Sequence, residues 1–444
     1  MTEKMKPSGI AAIGEIPASW DIVRIKDIGT YRNGLTYSPE DVTDKEYGTL
    51  VLRSSNIQNG KLSFEDNVYV SCDIPEDLYT QKGDIIICSR NGSSQLVGKN
   101  ALVENDDVNC SFGAFMMVYR CDCPRYMYYV LNSEIFSYYL GTFLTSTINQ
   151  LTGFNFGNMK IAYCPDPHEQ QAISDFLDSQ CAKIDGVIAD IEKQIEILQK
   201  YKKSLITEAV TKGLDRSVPM KESGIVWIGN VPEHWHLKRL KFMLENSSDS
   251  MKVGPFGSAL SGSDFTDEGK WVYNQRVVLD KNFSENTAFI SEEKYREMQG
   301  FSVYPGDILI TTRGTIGKVA IVPEGAQEGI LHPCIIKFRV DKEMMMPELL
   351  KLIFNESDFV KDQFTLMSNA TTIEVIYSYS LKDIILPVIP AEEQKKIYSY
   401  LSEKCETIDA VIMEKHKALS AITQHKKSLI YEYVTGKKRV TEVN

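Results

Sequence analysis

The chain repeats itself at long range, and that repeat limits what it can fold into. Met5–Lys26 (MKPSGIAAIGEIPASWDIVRIK) returns as Met220–Lys241 (MKESGIVWIGNVPEHWHLKRLK). Of these 22 aligned positions 11 are identical, including Trp20 with Trp235, Pro17 with Pro232 and Arg24 with Arg239, at an offset of 215 residues. A second echo follows at an offset of 224: Ile184-Asp185 answers Ile408-Asp409, and Lys203–Ile206 answers Lys427–Ile430. Such a period is several times that of a solenoid repeat, which runs about 20–50 residues. It predicts two whole domains of like fold, so one chain presents two similar surfaces.

Composition permits this. The 444 residues suffice for two domains with connecting elements. An apolar share of 43% and a charged share of 25% fit a soluble globular protein. The polar start MTEKMKPSG does not resemble a signal peptide, and no apolar run reaches the roughly 18 residues of a membrane span. The nine cysteines are scattered, with only Cys121 and Cys123 close and no C-x-x-C pair, which disfavours a zinc site and fits reduced thiols in a cytoplasm. The net charge of −11 speaks against a strongly basic nucleic-acid binder. Net charge leaves room for local basic faces, or for a partner that supplies phosphate contacts.

Each half reads in the same order. A Gly- and Pro-rich opening carries Trp20 or Trp235, expected as a buried anchor. β-rich TLVLRSSNI (49–57) matches KWVYNQRVV (270–278), and QKGDIIICSR (81–90) matches YPGDILITTR (304–313). The Gly-Asp pairs read as turns and the following apolar runs as buried strands. Helix-like segments follow at 126–140 and 346–364, and a long helix closes each half. In the first, Ile184, Ile188, Ile191, Ile195, Leu198 and Leu205 step by three and four, with Lys202 as one polar step. Ile408, Ile412, Lys415, Leu419, Ile422, Lys426 and Leu429 repeat the frame. This is a heptad seam. A helix of about 45 residues spans roughly 67 Å, too long for a small domain to cover, which favours pairing of the two helices over packing of each on its own domain. Gly213 and Gly436 stand where helix stops belong.

The expected fold is α+β: two tandem mixed α/β domains joined by two long helices forming an antiparallel coiled coil, with pseudo-two-fold symmetry. Residues 1–167 and 214–390 form the domains, 168–213 and 391–436 the long helices, and 437–444 a tail. The second domain is longer, and its GPFGS segment (254–258) has no clean twin near Arg32-Asn33-Gly34.

No catalytic constellation stands out. Gly314–Val319 resembles a P-loop only loosely: its glycines are too close, and Val319 sits where Ser or Thr would hold magnesium. There is no G-x-G-x-x-G after a strand, no H-E-x-x-H and no G-x-S-x-G. His234 and His236 flank Trp235, but Ser19 and Asp21 flank Trp20, which argues against a shared metal or catalytic role. The loops after the strands do offer recognition chemistry. The candidates in the first half are Arg53, Ser54, Asn56, Arg90, Asn91, Ser93, Gln95 and Lys99. In the second they are Asn274, Gln275, Arg276, Arg313, Thr315 and Lys318. Arg, Asn and Gln can pair with base edges, and Lys and Ser can hold phosphates. Taken singly, each is an ordinary polar loop residue. The signal is recurrence at matching places with different side chains, which suits a reader of two different half-sequences.

These features together resemble the specificity (S) subunit of bacterial type I restriction–modification systems. The resemblance rests on the paired MK.SGI..IG.(I/V)P..W openings, the Asn56–Gly60 turn, the two GDI segments, the helix starts at Glu169-Gln170 and Glu393-Gln394, and the two terminal coils. It covers nearly the whole chain. It implies two target recognition domains, each reading half of a split double-stranded DNA site. The conserved central and C-terminal helices would then serve as spacer and as dock for two methyltransferase (M) subunits. It implies no enzyme activity and no cofactor in this chain. S-adenosylmethionine would belong to the M partners, which flip the target adenine, and ATP with magnesium to restriction–translocase (R) subunits that can join. The rival reading is a coiled-coil protein scaffold that does not read DNA.

Overall fold

Apolar runs after Gly-Asp turns decide where the central strands lie. The computed structural model describes residues 4–104, 110–143, 149–256, 259–286, 288–368 and 375–440. It divides into two compact units: unit 1 holds residues 1–192 and 416–444, and unit 2 holds residues 193–415. The division falls within both long helices, so each unit takes a length of each helix.

In unit 1, β1 (Met5–Pro7) and β2 (Glu15–Pro17) form a hairpin that leads to β3 (Asp21–Arg24), β4 (Gly29–Asn33), β5 (Val42–Thr43) and β6 (Thr49–Leu52). Next come β7 (Ile57–Gln58), β8 (Lys61–Leu62), β9 (Tyr69–Val70), β10 (Ile85–Cys88), β11 (Asn100–Leu102), β12 (Cys110–Phe112) and β13 (Met116–Cys121). The helices α1 (Pro124–Leu131), α2 (Glu134–Phe143) and α3 (Gly153–Asn158) precede β14 (Lys160–Tyr163) and the 46-residue α4 (Pro167–Lys212).

Unit 2 repeats the plan with β15 (Met220–Glu222), β16 (Asn230–Pro232), β17 (His236–Arg239), β18 (Met251–Val253), β19 (Phe265–Thr266) and β20 (Lys270–Tyr273). It continues through α5 (Gln275–Asp280), β21 (Phe289–Ile290), α6 (Glu292–Glu297), β22 (Ile308–Thr311), β23 (Val319–Ile321), β24 (Gly329–Leu331) and β25 (Ile335–Phe338). It closes with α7 (Pro347–Glu356), α8 (Phe359–Ser368), α9 (Ser378–Asp383), β26 (Ile385–Val388) and the 44-residue α10 (Ala391–Val434).

The two four-stranded sheets of each unit match strand for strand, while the β7-β8 hairpin of unit 1 has α5 in its place in unit 2. Sheets β11-β10-β13-β4 and β12-β6-β9-β5 of unit 1 answer β23-β22-β25-β18 and β24-β20-β21-β19 of unit 2. Both second sheets contain one parallel pair, β12 with β6 and β20 with β24. The central strand is apolar throughout because it lies between two cores. Ile85 and Ile87 face the cluster with the helices, while Ile86 and Cys88 face the second sheet. Ile308 and Ile310 are likewise separated from Leu309. Burying each such side chain contributes about 1.5–3 kcal/mol.

The Gly-Asp turns tie the first sheet together. Asp84 accepts from the backbone N–H of Gln81 and from Arg120 at 2.8 and 3.0 Å. Asp307 accepts from the backbone N–H of Tyr304 and from Arg339. Unit 2 adds Lys337, 1% exposed on its side chain, which reaches Asp249 at 2.7 Å and Asp307 at 3.3 Å. Its place in unit 1 is taken by Val118, the residue opposite Ile86 as Lys337 is opposite Leu309.

The heptad seam is present in each unit. All eleven apolar seam residues are buried or half-buried. In unit 1, Phe176 packs on Tyr433 with ring centroids 4.5 Å apart, and Lys426 bonds Asp185 at 2.6 Å. In unit 2, Lys202 bonds Asp409 at 2.8 Å and Lys415 meets Gln194. One residue number falls as the other rises, so the helices run antiparallel within each unit. Each helix ends on an anchor. Gly436 (φ +70°) meets Pro17 and Trp20, and Gly213 (φ +74°) meets Trp235; both indoles are fully buried. A Cβ on Gly436 would lie 2.5 Å from Pro17, so glycine is required there twice over.

Three sequence expectations change. The helix expected over 126–140 is two helices, α1 and α2, and that over 346–364 is α7 and α8, because Asn132-Ser133 and Ser357-Asp358 break the period. KWVYNQRVV is a strand only to Tyr273, after which Asn274 caps α5. Gly254 does have a twin. Gly34 and Gly254 donate equivalently to Met116 and Ile335, and a Cβ on either would lie 2.1 Å from a carbonyl oxygen, of Phe112 and His332 respectively.

Candidate nucleic-acid interface

Two loops meet in each unit because their strands lie in facing sheets. In unit 1, β6 ends in Arg53–Asn56 and β10 ends in Ser89-Arg90 followed by the 91–99 loop. Gly98 (φ +87°) closes that loop, its N–H donating to Cys88 at 2.8 Å, while Lys99 returns the chain to β11. Gly317 (φ +75°) and Lys318 do the same after β22. The Gly-Lys pair, which the sequence matches only loosely to a P-loop, is therefore a hairpin turn. The loops are joined by Asn91 Nδ2 to Ser54 Oγ at 3.0 Å and Lys99 Nζ to the Ser54 carbonyl at 3.0 Å. In unit 2, Gln275 Nε2 reaches the Thr315 carbonyl at 3.3 Å.

Several candidates hold these loops rather than face outward. Asn56 corrects the sequence reading most clearly. It is 0% exposed, its Oδ1 accepts from the Arg53 N–H, and its Nδ2 donates to Ser63, Asp66 and Asn67. Asn274 uses its side-chain oxygen to cap α5, accepting from the N–H groups of Arg276 and Val277. Arg53 is paired with Asp66 at 2.9 Å. Lys318 donates to the Asn355 carbonyl at 2.8 Å, and its burial holds the ammonium below its ordinary pKa.

The remainder face solvent: Arg90, Ser93 and Gln95 in unit 1, and Arg276, Arg313 and Thr315 in unit 2. Arg276 bonds Asp280 at 3.2 Å on an exposed helix face, a weak restraint. Arg90 and Arg313 occupy equivalent places, each at the end of a central strand and bridged by its backbone to Gln150 or Val375. They differ in setting. The Arg90 guanidinium lies 5.1 Å from the centroid of Phe115, which is 58% exposed, so the arginine is braced against an aromatic face. The residue equivalent to Phe115 in unit 2 is Cys334. Sequence reasoning missed Phe115. Its one signal was a bulky aromatic in a tight turn, Gly113-Ala114-Phe115, where a small or polar residue is usual.

Among the described residues, no group of three His, Cys, Asp or Glu could hold a metal ion, and no helix is long and apolar enough to cross a membrane. All nine cysteines are free.

Comparison with known proteins agrees with this geometry. The profile described as the type I restriction modification DNA specificity domain matches residues 17–197 and 253–421, one stretch in each half. Over 96% of both chains, the sequence is 28% identical to a putative type I restriction enzyme MjaX specificity subunit of Methanocaldococcus jannaschii. It is 23% identical to the type I restriction enzyme EcoKI specificity subunit of Escherichia coli K12, over 95% of this chain and 90% of that one. A chain solved in a study of complex assembly and conformational transition of the type I R-M system shares the fold. Its TM-score is 0.65 at 16% identity, covering 95% of this chain and 99% of that one.

Proposed function

Because the chain belongs to the type I restriction-modification DNA specificity family, we propose that each of its units reads one half of a bipartite duplex site and that the chain itself performs no catalysis. The observation that carries this reading is the repeated loop pair. The same two strand ends converge in both units, yet they present Arg90, Ser93 and Gln95 in one and Arg276, Arg313 and Thr315 in the other. A repeated frame with different outward chemistry fits two different half-sequences. In this reading α4 and α10 dock two methyltransferase subunits and set the length of unread DNA between half-sites. S-adenosylmethionine serves the methyltransferase partners, and ATP with magnesium serves restriction–translocase partners, in the cytoplasm. The partners also supply phosphate contacts, which offsets this chain's net charge of −11.

Mapping methylated adenines genome-wide, with and without this protein, tests the reading; a bipartite motif should vanish with the protein. Arg90→Ala should relax recognition in one half-site by about 1–3 kcal/mol, and Arg313→Ala in the other. Equal loss in both halves would contradict modular reading. Binding that ignores salt concentration would instead favour a protein scaffold.

A further inference from the structure

The two units share a feature that the loop pair does not explain. Leu151 donates its N–H to Ser89 at 2.7 Å, and Ile376 donates to Thr312 at 2.9 Å. Eight residues on, Met159 and Ile384 accept from Ile25 at 3.1 Å and Leu240 at 2.8 Å. These bonds place α3 and α9 in register, residue for residue. Within that register Leu151 and Ile376 are buried, as are Phe156 and Leu381. Phe154 and Tyr379, also equivalent, point the other way and are 77% and 65% exposed. Tyr379 is further stacked on Tyr377 at 5.4 Å and 7° between planes, giving unit 2 a two-ring face.

A single exposed aromatic is unremarkable on a protein surface. Here a ring is exposed at the same position of two units whose outward loop residues differ apart from Arg90 and Arg313, and in each the segment carrying it is hydrogen-bonded to the strand end that carries that arginine. Cation and aromatic face are therefore carried on two segments that are hydrogen-bonded to each other within the same unit. That combination suits a duplex groove, where anionic phosphates flank base edges that include the apolar thymine methyl group, whereas a protein partner would meet a broader apolar patch. We propose that Phe154 and Tyr379 are specificity-determining contacts that pack their rings against apolar base edges of the half-site read by their own unit. Tyr377 supports Tyr379 in this role. The proposal rests on the reading of each unit as a DNA reader.

The test uses the full-length chain, purified as the complex it forms in cells, and a duplex selected by that complex from a random pool. Phe154→Ala should weaken binding about ten-fold, within the range of one base-edge contact. Scrambling the half-site of unit 1 should abolish that difference, and Phe154→Trp should restore affinity to within about three-fold. Tyr379→Ala should act the same way on the other half-site, with Tyr379→Phe as the rescuing variant. Because both side chains are exposed, the thermal midpoint should not move. Binding by both alanine variants within two-fold of the parent overturns the proposal, and so does a loss that comes with a lowered midpoint. If the parent complex selects no duplex at all, the DNA reading itself falls, and the proposal with it.

Discussion

Lys337 and Asp307 make opposite demands on the protein although they belong to one buried cluster. Asp307 is held by Arg339 and by the N–H of Tyr304 as well as by Lys337. Removing it leaves the buried Lys337 with Asp249 as its one carboxylate and deprives the partly buried Arg339 of its partner, so Asp307→Ala should lose about 3 kcal/mol in urea denaturation. Lys337→Val copies Val118 of unit 1, where the matching Asp84 is satisfied by Arg120 and a backbone N–H. It should therefore stay within about 1 kcal/mol of the parent. Similar losses for the two variants would show that the lysine is not dispensable as the comparison implies. His332 gives a pH signature. Burial holds its imidazole below the ordinary value of 6.5, and its Nδ1 accepts from the Cys334 N–H. The folded protein keeps the ring neutral while the unfolded chain takes up a proton, so this contribution is intact above pH 6.5 and is lost as pH falls below it. His332→Asn, which keeps an acceptor, should flatten the fall in urea midpoint between pH 7 and pH 5.5; an unchanged slope would assign that fall to other groups.

The long helices show what can be read from sequence and what cannot. Isoleucine at three- and four-residue steps is a pattern few structures other than a seam produce, and the polar steps Lys202 and Lys426 stood out against it. Their partners, Asp409 and Asp185, lie more than 200 residues away and became visible only with the fold. The pairs are equivalent in the repeat, yet Lys202 is more buried and also reaches Glu356 at 3.0 Å. Polar seam residues of this kind fix register. Lys202→Met should destabilise by about 2 kcal/mol and Lys426→Met by less than about 1 kcal/mol, measured by urea denaturation; a reversed order would contradict the burial argument. The loops were less legible. Asn56 has the side chain of a base reader, but the same amide that can bind an adenine can bind three loop acceptors, and sequence does not say which it meets. Nothing in the sequence sets Phe115, Phe154 and Tyr379 apart, because an aromatic residue usually is core; only the fold shows that their neighbours fill the interior instead.

At the scale of the whole molecule, the repeat governs how the chain is used. If the helices set the unread DNA between half-sites, deleting one heptad from each shortens them by about 10 Å, the rise of about three base pairs. The spacer of the methylated motif should change accordingly, and an unaltered spacer would remove the helices as its determinant. The exchange of helix lengths between units has another consequence, for synthesis. Ile430, Tyr433 and Val434 belong to the same core as Ile16 and Trp20, so unit 1 waits for residues translated about 400 positions after its opening. Until they arrive, its hydrophobic wall stands open to chaperones and proteases. A chain cut at residue 425 would therefore lose part of the unit 1 core although unit 1 was begun long before the cut.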